Sequence, residues 1–281
     1  AYSISCSSSH FAKNELQITI WKQKDGIVSN YFYEQVQVGD EFVARGPFGE
    51  FTYHEIRDCN HIIAAVDGHG IASILSMAES ILEGSISAEL TILYQAPTFQ
   101  DLVFKEKLDR LCDSSDAIQV VYILEEEREG FVFGKIHKEL VQQYQKSGNS
   151  YFVSGTISLY QSFNDILKEL NIPNQYVRHE LYRDYKVPVS GEQFQLTVFT
   201  QDREIHIPCF GNQSLLQVME KEGIVTPRRC GVGVCGICNS FLLQGEVLTK
   251  EETIVSAKQS CCTIHPCSTY PLSDLVIQLP F

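Results

Sequence analysis

The sequence predicts a multidomain chain in three parts: a β-rich leading segment, an α/β middle built on a parallel sheet, and an α+β end that holds most of the cysteines. Three observations predict it. Residues 1–55 carry alternating runs such as ELQITIW and DEFVARG, separated by turn signals at KDG and VGD. Residues 60–180 alternate short apolar runs (HIIAAV, AELTILYQA, AIQVVYIL, YFVSG) with stretches of helical spacing (ASILSMAESILEG, FKEKLDRL, GKIHKELVQQYQ, SFNDILKEL). That order is the signature of a parallel sheet covered on both faces. A polar stretch with Pro188 and Gly191 then precedes a hairpin-like pair (FQLTVFT, REIHIP), a helix (SLLQVMEKEG) and a closing strand (SDLVIQL).

Composition narrows the function classes. With 44% hydrophobic and 20% charged residues in 281, the chain is globular and long enough for more than one core. A formal net charge of −13 disfavours nucleic acid and anionic lipid and suits a basic protein partner. No apolar run is long enough to span a bilayer, and AYSISCSSSHF does not read as a secretory signal. The expected location is the cytoplasm. Six of the ten cysteines fall between Cys230 and Cys267, a clustering that points to metal or redox work rather than a disulfide framework. The scattered Cys6, Cys59, Cys112 and Cys209 are expected to be structural thiols.

Cys230, Cys235 and Cys238 are spaced x4 then x2, the plant-type spacing of a [2Fe–2S] cluster, which needs four thiolates. Gly231, Gly233 and Gly236 would let the loop wrap closely around an inorganic core and aim N–H groups at its sulfurs. A four-cysteine zinc site would call for paired C-x2-C units, and only one is present. The fourth ligand stays open on spacing, because Cys261, Cys262 and Cys267 are all near.

Residues 193–281 resemble the plant-type ferredoxins. In that family the last ligand stands four residues before a proline and ahead of the final strand; CSTYPLSDLVIQL fits this with Cys267, whereas no such strand follows Cys262. The resemblance therefore implies Cys230, Cys235, Cys238 and Cys267 as ligands, on a β-grasp fold.

The motifs AYSIS at 1–5, GIVSNYF at 26–32 and GPFGEF at 46–51 resemble the ferredoxin–NADP reductase superfamily, in the arrangement with a C-terminal ferredoxin domain used by oxygenase reductases and by the hybrid cluster protein's reductase. The resemblance implies a flavin-binding antiparallel β-barrel, present here in part. Tyr2 would lie against the isoalloxazine, Ser3 would sit near its N5 as a catalytic and binding residue, and Gly26 and Ser29 would contact phosphate. GPFGEF favours FAD over FMN. The family's flavin-lining Arg would stand one residue before Ala1, so several barrel strands are expected to be missing from this chain.

Residues 60–182 resemble the same superfamily's NAD(P)-binding domain with altered loops. Gly-Gly-x-Gly-Ile-x-Pro reads Asp67-Gly68-His69-Gly70-Ile71-Ala72-Ser73, and Cys-Gly-Pro reads Ser154-Gly155-Thr156. Gly68, Gly70, Ser154 and Gly155 are the expected nucleotide-binding residues. Asp67 would repel phosphate, and Pro97 stands where many relatives carry an adenosine-side Arg. Glu180-Leu181-Tyr182 resembles the element that closes the domain, with Tyr182 over the flavin as a second catalytic candidate.

The expected domains are 1–57 (flavin barrel, C-terminal part), 58–183 (nucleotide-binding), 184–192 (linker) and 193–281 (ferredoxin). The expected function is a reductase that takes electrons from NAD(P)H through flavin to the cluster and on to a partner metalloenzyme, as part of a multi-subunit system. The alternative is an electron-transfer subunit that has lost nicotinamide binding and exchanges electrons only with proteins. A structural-cluster assembly module is the third reading.

Overall fold

The computed structural model describes the whole chain except residues 1, 24, 25, 45, 48, 50, 182–190, 228–235, 250–253, 258–261 and 281. The chain divides into two compact units. One comprises Tyr2–Arg45 and Glu50–Arg183; the other comprises Asp184–Phe281 with Ala1 and Gly46–Gly49.

The first unit opens with the leading segment. Among the described residues its extended stretches pair only at Ile4 and Ile18, an antiparallel bridge flanked by Ser5 N–H to Gln17 O (2.9 Å) and Thr19 N–H to Ser3 O (3.3 Å). The alternation in ELQITIW therefore yields one bridge rather than a continuous strand, and the described part of DEFVARG forms none. Alternation only prepares a backbone for pairing; a strand exists where a neighbour supplies the ladder. Two helices interrupt the segment, α1 (Ser9–Ala12) and α2 (Ile27–Glu34).

The α/β part has six parallel strands: β1 (His61–Asp67), β2 (Glu89–Ala96), β3 (Ile118–Leu124), β4 (Val132–Phe133), β5 (Ser150–Gly155) and β6 (Val177–Leu181). Their order is β4-β3-β2-β1-β5-β6. The helices are α3 (Ile71–Leu82), α4 (Lys105–Ser114), α5 (Lys138–Tyr144) and α6 (Ile157–Glu169). β1 is buried on both faces because its residues alternate between two cores. Ile62, Ala64 and Val66 pack with Ile74, Leu75 and Leu108 of α3 and α4. Ile63 and Ala65 pack with Leu140, Leu159 and Phe163 of α5 and α6. This is the two-sided parallel sheet expected from the continuous apolar runs. The chain leaves β1 toward β2 on one side, while β5 lies on the other. That reversal opens a crevice at the carboxyl ends of β1 and β5. The leading segment is tied to α3: Ser7 N–H donates to Glu79 (3.0 Å), the Ser9 hydroxyl to Glu83 (2.9 Å), and the Ser76 hydroxyl to Cys6 O (2.6 Å).

The second unit contains the hairpin β7 (Gln193–Phe199) and β8 (Glu204–Phe210), then α7 (Leu215–Lys221). β9 (Ser240–Gln244), β10 (Glu246–Thr249), β11 (Ile254–Ser256), β12 (Cys262–Ile264), β13 (Thr269–Pro271) and β14 (Leu275–Gln278) follow. The main sheet runs β12-β9-β14-β7-β8, with β14 parallel to β7, and a second sheet runs β11-β10-β13. α7 begins at a capping box in which Ser214 and Gln217 exchange side-chain-to-backbone hydrogen bonds (3.3 and 3.0 Å). Its Leu215, Val218 and Met219 pack onto Leu196, Val198, Ile207 and Ile277 of the sheet. One helix laid across a mixed sheet with a parallel central pair is the β-grasp arrangement.

Candidate functional site

In the leading segment, Tyr2 is half-buried and meets Phe32 edge-on, ring centroids 6.3 Å apart; burial raises its hydroxyl pKa. Ser3 follows on the extended stretch, and its hydroxyl donates to Glu180 Oε2 at 3.3 Å. Gly26 caps the N-terminus of α2, and the buried Ser29 hydroxyl donates to its carbonyl at 3.4 Å while accepting the Gln23 N–H at 3.3 Å. A Cβ on Gly26 would collide with Ser29 Oγ. The two residues therefore form one compact cradle at a helix start, where amide N–H groups and a hydroxyl suit a phosphate. The described residues at this end fit a flavin nucleotide.

The crevice between β1 and β5 brings together most of the nucleotide-loop residues singled out from the sequence. Gly68–Gly70 form a single turn leading into α3, and a Cβ on Gly70 would collide with the Ser154 carbonyl. The loops after β1 and β5 are thus in backbone contact. The buried Tyr94 hydroxyl holds the first loop from beneath, donating to Gly68 O (3.3 Å) and accepting Val103 N–H (3.0 Å); burial and, less strongly, the charge of Asp67 raise its pKa. Ser154 is buried, 3.1 Å from the Ser73 hydroxyl and 3.5 Å from Glu180 Oε2. Trp21 of the leading segment lies against His69, centroids 5.6 Å apart.

Two features of this region were not legible residue by residue. Glu180 joins Ser3 of the leading segment to Ser154 at the end of β5, because the β5–β6 register sets Ser154 opposite it. Asp67 does not project freely as an anion: its carboxylate accepts the Thr156 N–H (2.8 Å) and hydroxyl (2.6 Å). Tyr182 lies outside the described residues.

Of the four cysteines implied as cluster ligands, Cys230 and Cys235 also lie outside the described residues. The other two meet: the sulfurs of Cys238 and Cys267 are 3.3 Å apart, both buried and packed with Leu216 of α7. The hydrogen bond from Cys267 pulls the Cys238 thiol down to about 6, against the opposing effect of burial and with help from His265. Cys262 turns elsewhere, its thiol 3.9 Å from the Ser256 carbonyl. A converging, acidified thiol pair suits a thiolate-ligated iron–sulfur group. Among the described residues no three His, Cys, Asp or Glu side chains gather around a common metal position. Cys6 and Cys209 are buried and Cys59 and Cys112 half-buried; burial raises the Cys209 thiol to about 11, as expected of inert structural thiols. Among the described residues, no helix is long and apolar enough to cross a membrane.

Comparison with known proteins follows the same three-part order. Residues 1–53 match the oxidoreductase FAD-binding domain, 63–164 the oxidoreductase NAD-binding domain, and 198–271 the 2Fe-2S iron-sulfur cluster binding domain. The chain is 28% identical to the ferredoxin reductase component of 3-ketosteroid-9-alpha-monooxygenase from Mycobacterium tuberculosis, over 97% of this chain and 78% of that protein. It is 24% identical to NADH oxidoreductase HCR of Escherichia coli, over 99% and 83%. Among solved structures it is similar to phthalate dioxygenase reductase, with a TM-score of 0.70 and 21% identity, covering 99% of this chain and 83% of that one.

Fold, crevice and thiol pair fit a flavin- and iron–sulfur-dependent oxidoreductase, and the chain carries, in this order, an oxidoreductase FAD-binding domain, an oxidoreductase NAD-binding domain and a 2Fe-2S iron-sulfur cluster binding domain. It is an NAD(P)H-dependent reductase that uses FAD and a [2Fe–2S] cluster for electron transfer.

Proposed function

We propose that this chain is the reductase component of a multi-subunit oxygenase system, delivering single electrons to a metalloenzyme partner in the cytoplasm. When bound, FAD accepts an electron pair from NAD(P)H and the cluster carries electrons onward one at a time. The observation that carries the reading is the hydrogen-bonded line Ser3–Glu180–Ser154, which connects the flavin-facing stretch to the nucleotide crevice within one unit. The kinship with oxygenase reductase components supports the choice of partner.

In this reading Tyr2 packs against the isoalloxazine and Gly26 with Ser29 holds phosphate. Ser3 presents its hydroxyl to the flavin, its direction set by the Glu180 carboxylate. Gly68, Gly70, Ser154 and Gly155 form the floor on which the dinucleotide lies, and Tyr182 covers the flavin. Cys230, Cys235, Cys238 and Cys267 hold the cluster. The domains are 1–57, 58–183 and 193–281, with 184–192 as linker.

The test is anaerobic stopped-flow mixing of the holoprotein with NADH and with NADPH, followed by addition of an oxidised Rieske-type oxygenase. Flavin bleaching, then cluster reduction, then oxygenase reduction is the expected sequence. Absence of bleaching with either nucleotide overturns the reductase reading; bleaching without electron delivery to the oxygenase overturns the choice of partner.

A further inference from the structure

Asp67 and Thr156 stand 89 positions apart in the chain and close on one another across the crevice, one at the end of β1 and the other as the N-cap of α6. Both carboxylate oxygens are engaged, Oδ1 by the Thr156 N–H at 2.8 Å and Oδ2 by its hydroxyl at 2.6 Å. The same hydroxyl oxygen accepts the Leu159 N–H at 3.2 Å, so the contact is built into the start of the helix. Gly155, between the two loops, has φ +153, and a Cβ there would collide with Asp67 Oδ1. A second joint lies beside the first, Ser73 to Ser154 at 3.1 Å.

These are the positions where the loops after β1 and β5 depart from the family that the sequence resembles. Asp67 and Ser73 replace a small residue and a proline; Ser154 and Thr156 replace a cysteine and a proline. A proline at 156 would have neither the N–H nor the hydroxyl that holds Asp67. The four departures therefore form two bonded pairs, a rebuilt joint rather than independent losses. Both donors to Asp67 are neutral, so its negative charge stays in the crevice.

We propose that Asp67, clasped by Thr156 across the crevice, is an affinity-setting residue that weakens binding of the dinucleotide pyrophosphate. The proposal rests on the reading that this crevice receives NAD(P)H. The clasp fixes the carboxylate at the loop that would face the pyrophosphate, so each bound dinucleotide meets a like charge that cannot swing away. Hydrogen bonds from Thr156 spread that charge without cancelling it.

The test is calorimetric titration of the FAD-loaded, cluster-loaded protein with NAD⁺ and NADP⁺, for wild type, Asp67→Asn and Thr156→Val. Asn keeps the shape and removes the charge; the preferred nucleotide is expected to bind it about tenfold tighter, the order for removing one like charge at a solvated site. Val keeps the charge and removes the hydroxyl that holds Oδ2, so the carboxylate can turn away and binding is expected to tighten, by less than in Asp67→Asn. Wild-type binding with no gain in Asp67→Asn overturns the proposal alone. No binding of either nucleotide by wild type and Asp67→Asn overturns the nicotinamide reading itself and the proposal with it. Should Asp67→Asn fail to fold, Thr156→Val decides: tighter binding supports the proposal, and equal or weaker binding overturns it.

Discussion

The sulfurs of Cys238 and Cys267 lie 3.3 Å apart although 29 residues separate them in the chain. Two pieces of the β-grasp unit bring them together. Cys238 stands two residues before β9, and Cys267 sits in the turn before β13; Leu216 of α7 packs against both. The pairing separates Cys267 from Cys262, which lies on β12 and contacts the Ser256 carbonyl.

Cys267→Ser is expected to abolish cluster retention, leaving under about a tenth of wild-type iron, since even losing a supporting partner costs 10–100-fold in metal affinity. Cys262→Ser is expected to keep its full complement. Iron analysis and the visible spectrum of both variants check this; the reverse pattern would assign the fourth ligand to Cys262.

Removal of the metal exposes the acidity of the thiol pair. Cys238 is held down to about 6 chiefly by the Cys267 hydrogen bond, so in metal-free protein it is mostly thiolate at neutral pH. Thiolate absorbance should fall as pH is lowered through about 6. That step should vanish in Cys238→Ser; titration only in the ordinary thiol range would contradict the geometry.

Ser3→Ala removes the hydroxyl that Glu180 orients at 3.3 Å. A hydrogen bond to a charged group contributes about 1.5–3 kcal/mol, which corresponds to about a ten- to hundredfold slower flavin reduction. Ser3→Thr, which keeps a hydroxyl, should recover part of the rate. Single-turnover kinetics with reduced nicotinamide measures both.

Gly26→Ala places a methyl group against Ser29 Oγ and displaces the hydroxyl from the start of α2. FAD affinity should drop by about tenfold, the consequence of losing roughly one charge-assisted hydrogen bond. Equilibrium dialysis of FAD tests it; unaltered retention would remove these residues from the phosphate site.

Asp58 is fully buried between Arg57 (2.9 Å) and Arg178 (2.7 Å) and also accepts the His54 N–H at 2.9 Å. Asp58→Asn leaves the half-buried Arg178 without its counter-charge and should destabilise the first unit by about 3 kcal/mol, the low end for breaking a buried pair. Urea unfolding provides the measurement, and a loss below about 1 kcal/mol would show that the pair is not a stabilising centre.

The elements of the α/β part were legible because each apolar run is buried on both sides of one sheet, as β1 is between its two cores. The leading segment was less so: its alternation matched a strand, but among the described residues pairing occurs at Ile4 and Ile18 alone. A sequence records which face of a strand is apolar, not whether a neighbour completes the ladder.

By itself the sequence determined which residue types are available for the proposed sites: clustered thiols, a Gly-x-x-Ser segment, and glycine-bearing loops after two strands. These signals are local, because ligand spacing and backbone freedom are set within a few residues. Tertiary structure alone decided what those residues meet. The register of β5 against β6 set Glu180 between Ser3 and Ser154, and the reversal of strand order between β1 and β5 brought Asp67 onto Thr156. An anion read from the sequence as a repulsive charge is, in the folded chain, held by a partner 89 residues away. Contacts between distant residues follow from sheet order and register, and neither is written in a local pattern.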